Sequence, residues 1–73
     1  MSGFTRYNKI LNLFSEQRSS WTVSEISDKV TAPSSAIYRI VRELVLSEFL
    51  ESAAGAYFRL GPAFIKFNRT INL

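Results

Sequence analysis

A start signal at Thr22 and a stop signal at Pro33 confine the middle of this chain to one short helix followed at once by another. Thr22-Val23-Ser24-Glu25 has the spacing of a capping box, in which the threonine hydroxyl accepts from the glutamate amide and the glutamate carboxylate accepts from the threonine amide. The helix that starts there must stop before Pro33, because proline pushes its preceding residue out of helical dihedrals. Room remains for about two turns, with Val23, Ile26 and Val30 at i, i+3 and i+7 on one face. Pro33 then suits the first position of a second helix, where its missing N–H costs nothing.

That second helix is predicted over 33–47 and has two opposed stripes. At about 100° per residue, Ile37, Ile40, Val41 and Leu44 share one side, while Ser35, Tyr38, Arg39 and Arg42 lie about 160° away. Leu46 extrapolates to a place beside Arg39 and Arg42, so either the helix ends before it or the polar stripe has an apolar edge. Upstream, Phe4, Tyr7, Leu11 and Phe14 at spacings of three and four predict a first helix over residues 5–16. Leu50, Ser52, Phe58 and Leu60 alternate with Glu51, Tyr57 and Arg59 around Ala53-Ala54-Gly55-Ala56, which predicts a two-stranded hairpin ended by Gly61-Pro62. Trp21, isolated between the first two helices, is expected as a one-strand plug in the core, covering the inner face of that hairpin. Phe64, Phe67 and Ile71 then predict a fourth helix over residues 63–72 that leaves the domain.

Composition narrows what such an arrangement can do. The 73 residues allow one core. Cysteine and histidine are both absent, which removes thiolate and imidazole metal ligands, the cysteine nucleophile and the commonest general base. No catalytic residue, metal site or cofactor is expected, and Glu25 is accounted for as a cap. Apolar runs fall well short of the roughly 20 residues that span a bilayer, and the N-terminus lacks a signal-peptide pattern, so a cytoplasmic protein without a membrane partner is expected. A net charge of +3 and a pI near 9.7 lean toward a polyanion.

The placement of those charges says more than their sum. A charged outer helix face is ordinary, but this stripe combines hydroxyl, phenol and guanidinium groups with no carboxylate among them. Arginine can direct two parallel N–H donors at guanine O6 and N7 or clamp a phosphate, which makes Arg39, then Arg42, the leading DNA-reading candidates. Ser34 and Ser35 occupy the first turn, where free amides and the helix dipole favour a phosphate oxygen, and Tyr38 has a ring for a thymine methyl and a hydroxyl for a phosphate. A short capped helix, a break, a longer basic helix and a hairpin come one after another in the order of a winged helix-turn-helix. The expected fold is therefore mainly α with a small β-hairpin: a three-helix core and two-stranded wing over residues 1–62, and the start of a C-terminal linker helix over 63–73.

The order and spacing of these segments resemble the N-terminal DNA-binding domain of IclR-type bacterial transcriptional regulators over nearly the whole chain. The resemblance is carried by Ile10-Leu11-Asn12-Leu13-Phe14, by Thr22-Val23-Ser24-Glu25-Ile26-Ser27, by the run from Pro33 through Arg39 to Val41, and by Phe58-Arg59-Leu60-Gly61-Pro62. It implies a repressor or activator that binds double-stranded operator DNA as a homodimer, with Arg39 near the centre of the recognition helix. It also implies dimer contacts from the first and linker helices, for which Leu13 and Ile65 are the candidates. This chain departs from the pattern at Thr31, where glycine is usual, at Ser34, where a basic residue is common, and at an uncharged wing tip, which leaves Tyr57 and Arg59 to graze a phosphate at most. Family members continue into an effector-binding domain, so small-molecule sensing is expected outside this chain, which reads as the N-terminal piece of a longer regulator more than as a free-standing one. The alternative is a winged helix that binds protein without DNA, which needs a contiguous apolar patch; RNA binding has few exposed aromatics for stacking bases.

Overall fold

The computed structural model describes the chain from Gly3 to Ile71, with side chains over residues 5–67. The elements run α1 (Gly3–Leu11), β1 (Ser20–Thr22), α2 (Val23–Val30), α3 (Ser34–Leu46), β2 (Leu50–Ser52), β3 (Tyr57–Leu60) and α4 (Pro62–Ile71). The core is one cluster of Ile10, Phe14, Trp21, Ile26, Ile37, Ile40, Val41, Leu44 and Leu50. It takes side chains from three helices, two strands and the turn after α1, and all four residues of the predicted inner stripe of α3 belong to it.

The start of α2 obeys its local signal. Thr22 is extended, its hydroxyl accepts from the Glu25 amide at 3.1 Å, and the Glu25 carboxylate accepts from the Thr22 amide at 2.9 Å. That backbone donor, with the Arg18 guanidinium at 2.8 Å, holds the Glu25 carboxyl below its ordinary pKa. At its other end α2 stops on Thr31, whose φ of 55° and ψ of 58° are left-handed. The turn is closed by the Thr31 and Ala32 amides on the Ser27 carbonyl and by the Ser27 hydroxyl on the Ala32 carbonyl. A β-branched residue holds a conformation that glycine adopts freely.

Pro33 is the N-cap of α3, its carbonyl accepting from the Ala36 and Ile37 amides at 3.1 Å, and no side chain caps that end. The C-terminus reverses through Glu48, also left-handed at φ 63°, with the Phe49 amide returning to the Leu44 carbonyl at 2.9 Å. The chain then meets Gly61, whose amide bonds the Phe49 carbonyl at 2.8 Å. A Cβ on Gly61 would lie 2.4 Å from the Glu48 carbonyl oxygen, so the crossing of α3, β2 and α4 admits no side chain there.

One expectation is corrected and two are refined. The first helix stops at Leu11, not near residue 16: the Leu13 and Phe14 amides bond three residues back, and Ser15 and Arg18 close a turn on each other. This turns Phe14 edge-on to Trp21, with ring centroids 6.5 Å apart, and the buried centre of α1 is Ile10, flanked by half-buried Tyr7 and Leu11. The expected two-stranded wing forms from β2 and β3, and it is joined into a three-stranded sheet of order β1-β3-β2, because β1 lies antiparallel on β3 with Trp21 opposite Phe58. The third strand satisfies an edge of β3 that would otherwise present unpaired amides and carbonyls. Trp21 is in the core as expected, 5% exposed. The start of α4 packs on the domain, with Phe64 and Phe67 ring centroids 6.3 and 6.1 Å from that of Phe49. The side chains of Phe4 and Ile71, placed on helical stripes from sequence, lie outside the described residues.

The backbone devices at Thr31 and Gly61 should shift stability in opposite directions when altered. Thr31→Gly should raise stability by about 1 kcal/mol through relief of left-handed strain, and Gly61→Ala should lower it by about 1–3 kcal/mol through overpacking; urea melts that moved in the same direction would refute one assignment. Thr22→Ala should cost about 1 kcal/mol. Because the Glu25 pKa is lowered on folding, its stabilisation is complete above the ordinary glutamate value and fades as pH falls through the lowered one. The acid side of the stability profile should flatten in Glu25→Gln, and a profile parallel to that of wild type would show that Glu25 contributes nothing to it.

Candidate nucleic-acid interface

With its inner stripe in the core, α3 turns its other stripe to solvent. Ser34, Ser35, Tyr38, Arg39 and Arg42 are all exposed, Tyr38 by 57%. Among the described residues no carboxylate is within ion-pairing distance of Arg39 or Arg42, whereas Arg18 pairs with Glu25 and Arg59 with Glu51. Ser34 and Ser35 begin a helix whose end has no side-chain cap, leaving first-turn amides directed outward. The five residues predicted from sequence thus share one continuous solvent-facing strip, rooted in the most buried helix of the fold.

One flank of this strip is open between two readings in the sequence, and another is not apparent from it. Leu46 is the last residue of α3 and 76% exposed, so the strip does have an apolar edge at its C-terminal end. On the side facing α1, Glu43 accepts a hydrogen bond from the Tyr7 hydroxyl. Glu43 is four residues after Arg39, a spacing at which a carboxylate and a guanidinium reach each other along a helix. Tyr7 holds it instead.

The sheet flanks the strip from the other side. Tyr38, Val41, Arg42 and Val45 of α3 and Ser52 and Phe58 of the hairpin line a cleft of about 220 Å³. Ser52 pairs with Phe58 across the β2–β3 ladder, which directs both toward α3, since cross-strand partners share a face. Tyr57 and Arg59 alternate to the outer face and are exposed. The Arg59 guanidinium is engaged, with Nε 3.3 Å from Glu51 Oε1. Of the two proposed dimer residues, Ile65 is 51% exposed, whereas Leu13 is half-buried and packs against the core, so it offers less free surface than its position off the stripe implied. Among the described residues no group of carboxylates could hold a metal ion, and no helix is long and apolar enough to cross a membrane.

The IclR helix-turn-helix domain model matches residues 5–53. Among solved structures, an IclR homolog from Microbacterium sp. strain HM58-2 superposes with a TM-score of 0.88 at 30% identity, over 96% of this chain and 29% of that one. An IclR homolog from Microbacterium hydrocarbonoxydans, solved with 4-hydroxybenzoate, gives 0.84 at 32% identity over 90% of this chain and 28% of that one. An IclR family transcriptional regulator from Brucella abortus gives 0.88 at 18% identity over 97% of this chain and 27% of that one, a likeness of fold. No protein of curated function gives a significant match. The chain spans under a third of the length of these solved proteins.

The Tyr7–Glu43 hydrogen bond makes a prediction at the strip itself. In Tyr7→Phe the carboxylate is released toward Arg39, and affinity for duplex DNA should fall about twofold, the scale of an exposed i,i+4 pair. Glu43→Gln in the same chain should restore it. Unchanged affinity in Tyr7→Phe would show that Glu43 and Arg39 are not coupled.

Proposed function

Because the chain belongs to the IclR family through its helix-turn-helix domain, a DNA-binding domain of transcriptional regulators and not an enzyme, we propose that it reads double-stranded operator DNA by laying α3 in the major groove. The observation that carries this reading is the α3 strip: exposed hydroxyls, a phenol and two unpaired guanidinium groups, opposite four core residues that set the rotation of the helix. Ser34, Ser35 and the first-turn amides hold backbone phosphates, and Arg39 reaches base edges from the middle of the strip. Tyr57 makes at most a peripheral contact, and Arg59, already paired with Glu51, adds little charge.

Two copies reading an inverted repeat, with half-site centres about one helical turn or a multiple of one apart, complete the proposal. Ile65 is its better-exposed dimer residue and Leu13 the lesser. Selection from a random duplex pool should return paired half-sites; unpaired half-sites alone would argue against the dimer.

The direct test is fluorescence anisotropy on a random-sequence duplex across a salt series. Affinity should fall steeply with salt, in proportion to the phosphates neutralised, and Arg39→Ala/Arg42→Ala should bind more weakly with a shallower slope. On the best selected operator, Arg39→Ala should cost about 1–3 kcal/mol. Salt-independent or absent binding well above micromolar concentration would instead favour a protein-interaction module.

A further inference from the structure

On the premise that α3 binds duplex DNA, we propose that the cleft between α3 and the root of the hairpin seats one backbone phosphodiester, with Arg42 as its cation and Ser52 as a second donor. The two arginines of the strip thereby divide their work: Arg39 reads bases and Arg42 holds a strand.

The chemistry of the lining supports this occupant. Arg42, Tyr38 and Ser52 bring a guanidinium and two hydroxyls, while Val41, Val45 and Phe58 supply an apolar wall. A DNA strand alternates an anionic phosphate with a largely apolar deoxyribose, and this lining alternates in the same sense. Hydrogen bonding to a base edge requires polar partners in its own plane, which the aliphatic and aromatic wall lacks. The volume, about 220 Å³, is roughly seven times the liquid share of one water molecule, the scale of a sugar-phosphate unit.

Charge and register point the same way. No carboxylate lines the cleft, and the nearby acids are engaged elsewhere, Glu43 with Tyr7 and Glu51 with Arg59. Arg39 is not part of the lining, because three residues of helix rotate it about 60° around the axis from Arg42. Ser52 enters through the hairpin register, which sets it opposite Phe58 and sends Glu51 to the other face opposite Arg59. A slip of one residue would present the Glu51 carboxylate to the cleft.

The test uses the intact chain, a random duplex, and the best sequence that wild type selects from a random pool. Arg42→Gln should lower the slope of log affinity against log salt by about 0.9 and weaken both duplexes by the same factor, leaving their ratio unchanged. Arg39→Gln should instead lower that ratio by at least about tenfold. Ser52→Glu, on an exposed strand position, should weaken both duplexes at least about tenfold at low salt by setting a carboxylate against the phosphate; thermal melts confirm that each variant is folded. If Ser52→Glu binds like wild type, or if Arg42→Gln alters base preference with its slope unchanged, the seat is wrong while DNA binding stands. A wild-type chain that binds neither duplex overturns the DNA reading and the seat with it.

Discussion

Burial of one side of α3 is the interaction on which the rest of the molecule depends. Ile37, Ile40, Val41 and Leu44 are buried together with residues from α1, α2 and the sheet, and each such side chain is worth about 1.5–3 kcal/mol relative to exposure. Rotating α3 by even one residue would move this set toward water. The burial therefore also fixes which residues face outward, and the direction in which Arg39 and Arg42 project is set by the packing of aliphatic groups beneath them. In this small domain the core and the binding strip are two sides of one helix.

Holding that helix at the right angle falls to three backbone positions, two where the chain reverses sharply and one where two segments pass closely. Thr31 and Glu48 are left-handed at the two ends of the α3 segment, and Gly61 admits the close approach of the Glu48 carbonyl. Thr31 is the costliest of them, since β-branching and a positive φ oppose each other. The Ser27 carbonyl, bonded by two successive amides, and the Ser27 hydroxyl, bonded to the Ala32 carbonyl, hold the turn closed. The angle between α2 and α3 thus rests on hydrogen bonds within the turn as well as on the core on either side.

A net charge of +3 is a weak attractant, and local arrangement makes it effective. Three of the acidic residues are engaged, Glu25 by Thr22 and Arg18, Glu43 by Tyr7 and Glu51 by Arg59. Glu43 and Glu51 are thereby held by other partners beside the α3 strip, and among the described residues no carboxylate pairs with Arg39 or Arg42. The same arrangement distinguishes Arg39 and Arg42, which form no ion pair, from Arg59, which has the same charge but not the same availability.

The reach of sequence reasoning matched the reach of the forces involved. The capping box at Thr22, the break at Pro33 and the 3.6-residue stripes of α2 and α3 all arise between residues a few positions apart, so they were legible from sequence, as were the core place of Trp21 and the five residues of the outward strip. Where the outcome depended on distant partners, the reading fell short. It ran α1 past Leu11, because the turn that stops it also seats Phe14 against Trp21. The two-stranded wing and a lone strand plug at Trp21 are legible, but not that Ser20–Thr22 pairs with β3, because a strand of three residues shows no period and forms only when β3 is there to receive it. Sequence leaves Leu46 undecided and gives Arg59 a grazing phosphate contact at most, whereas the end of α3 settles the one and Glu51, a neighbour only across the hairpin, engages the other. Local backbone chemistry, written in adjacent residues, determined which helices form and which faces they have; tertiary packing alone decided which charges remain unpaired and that Ser52 shares a cleft with Arg42, since those depend on side chains that only the completed fold brings together.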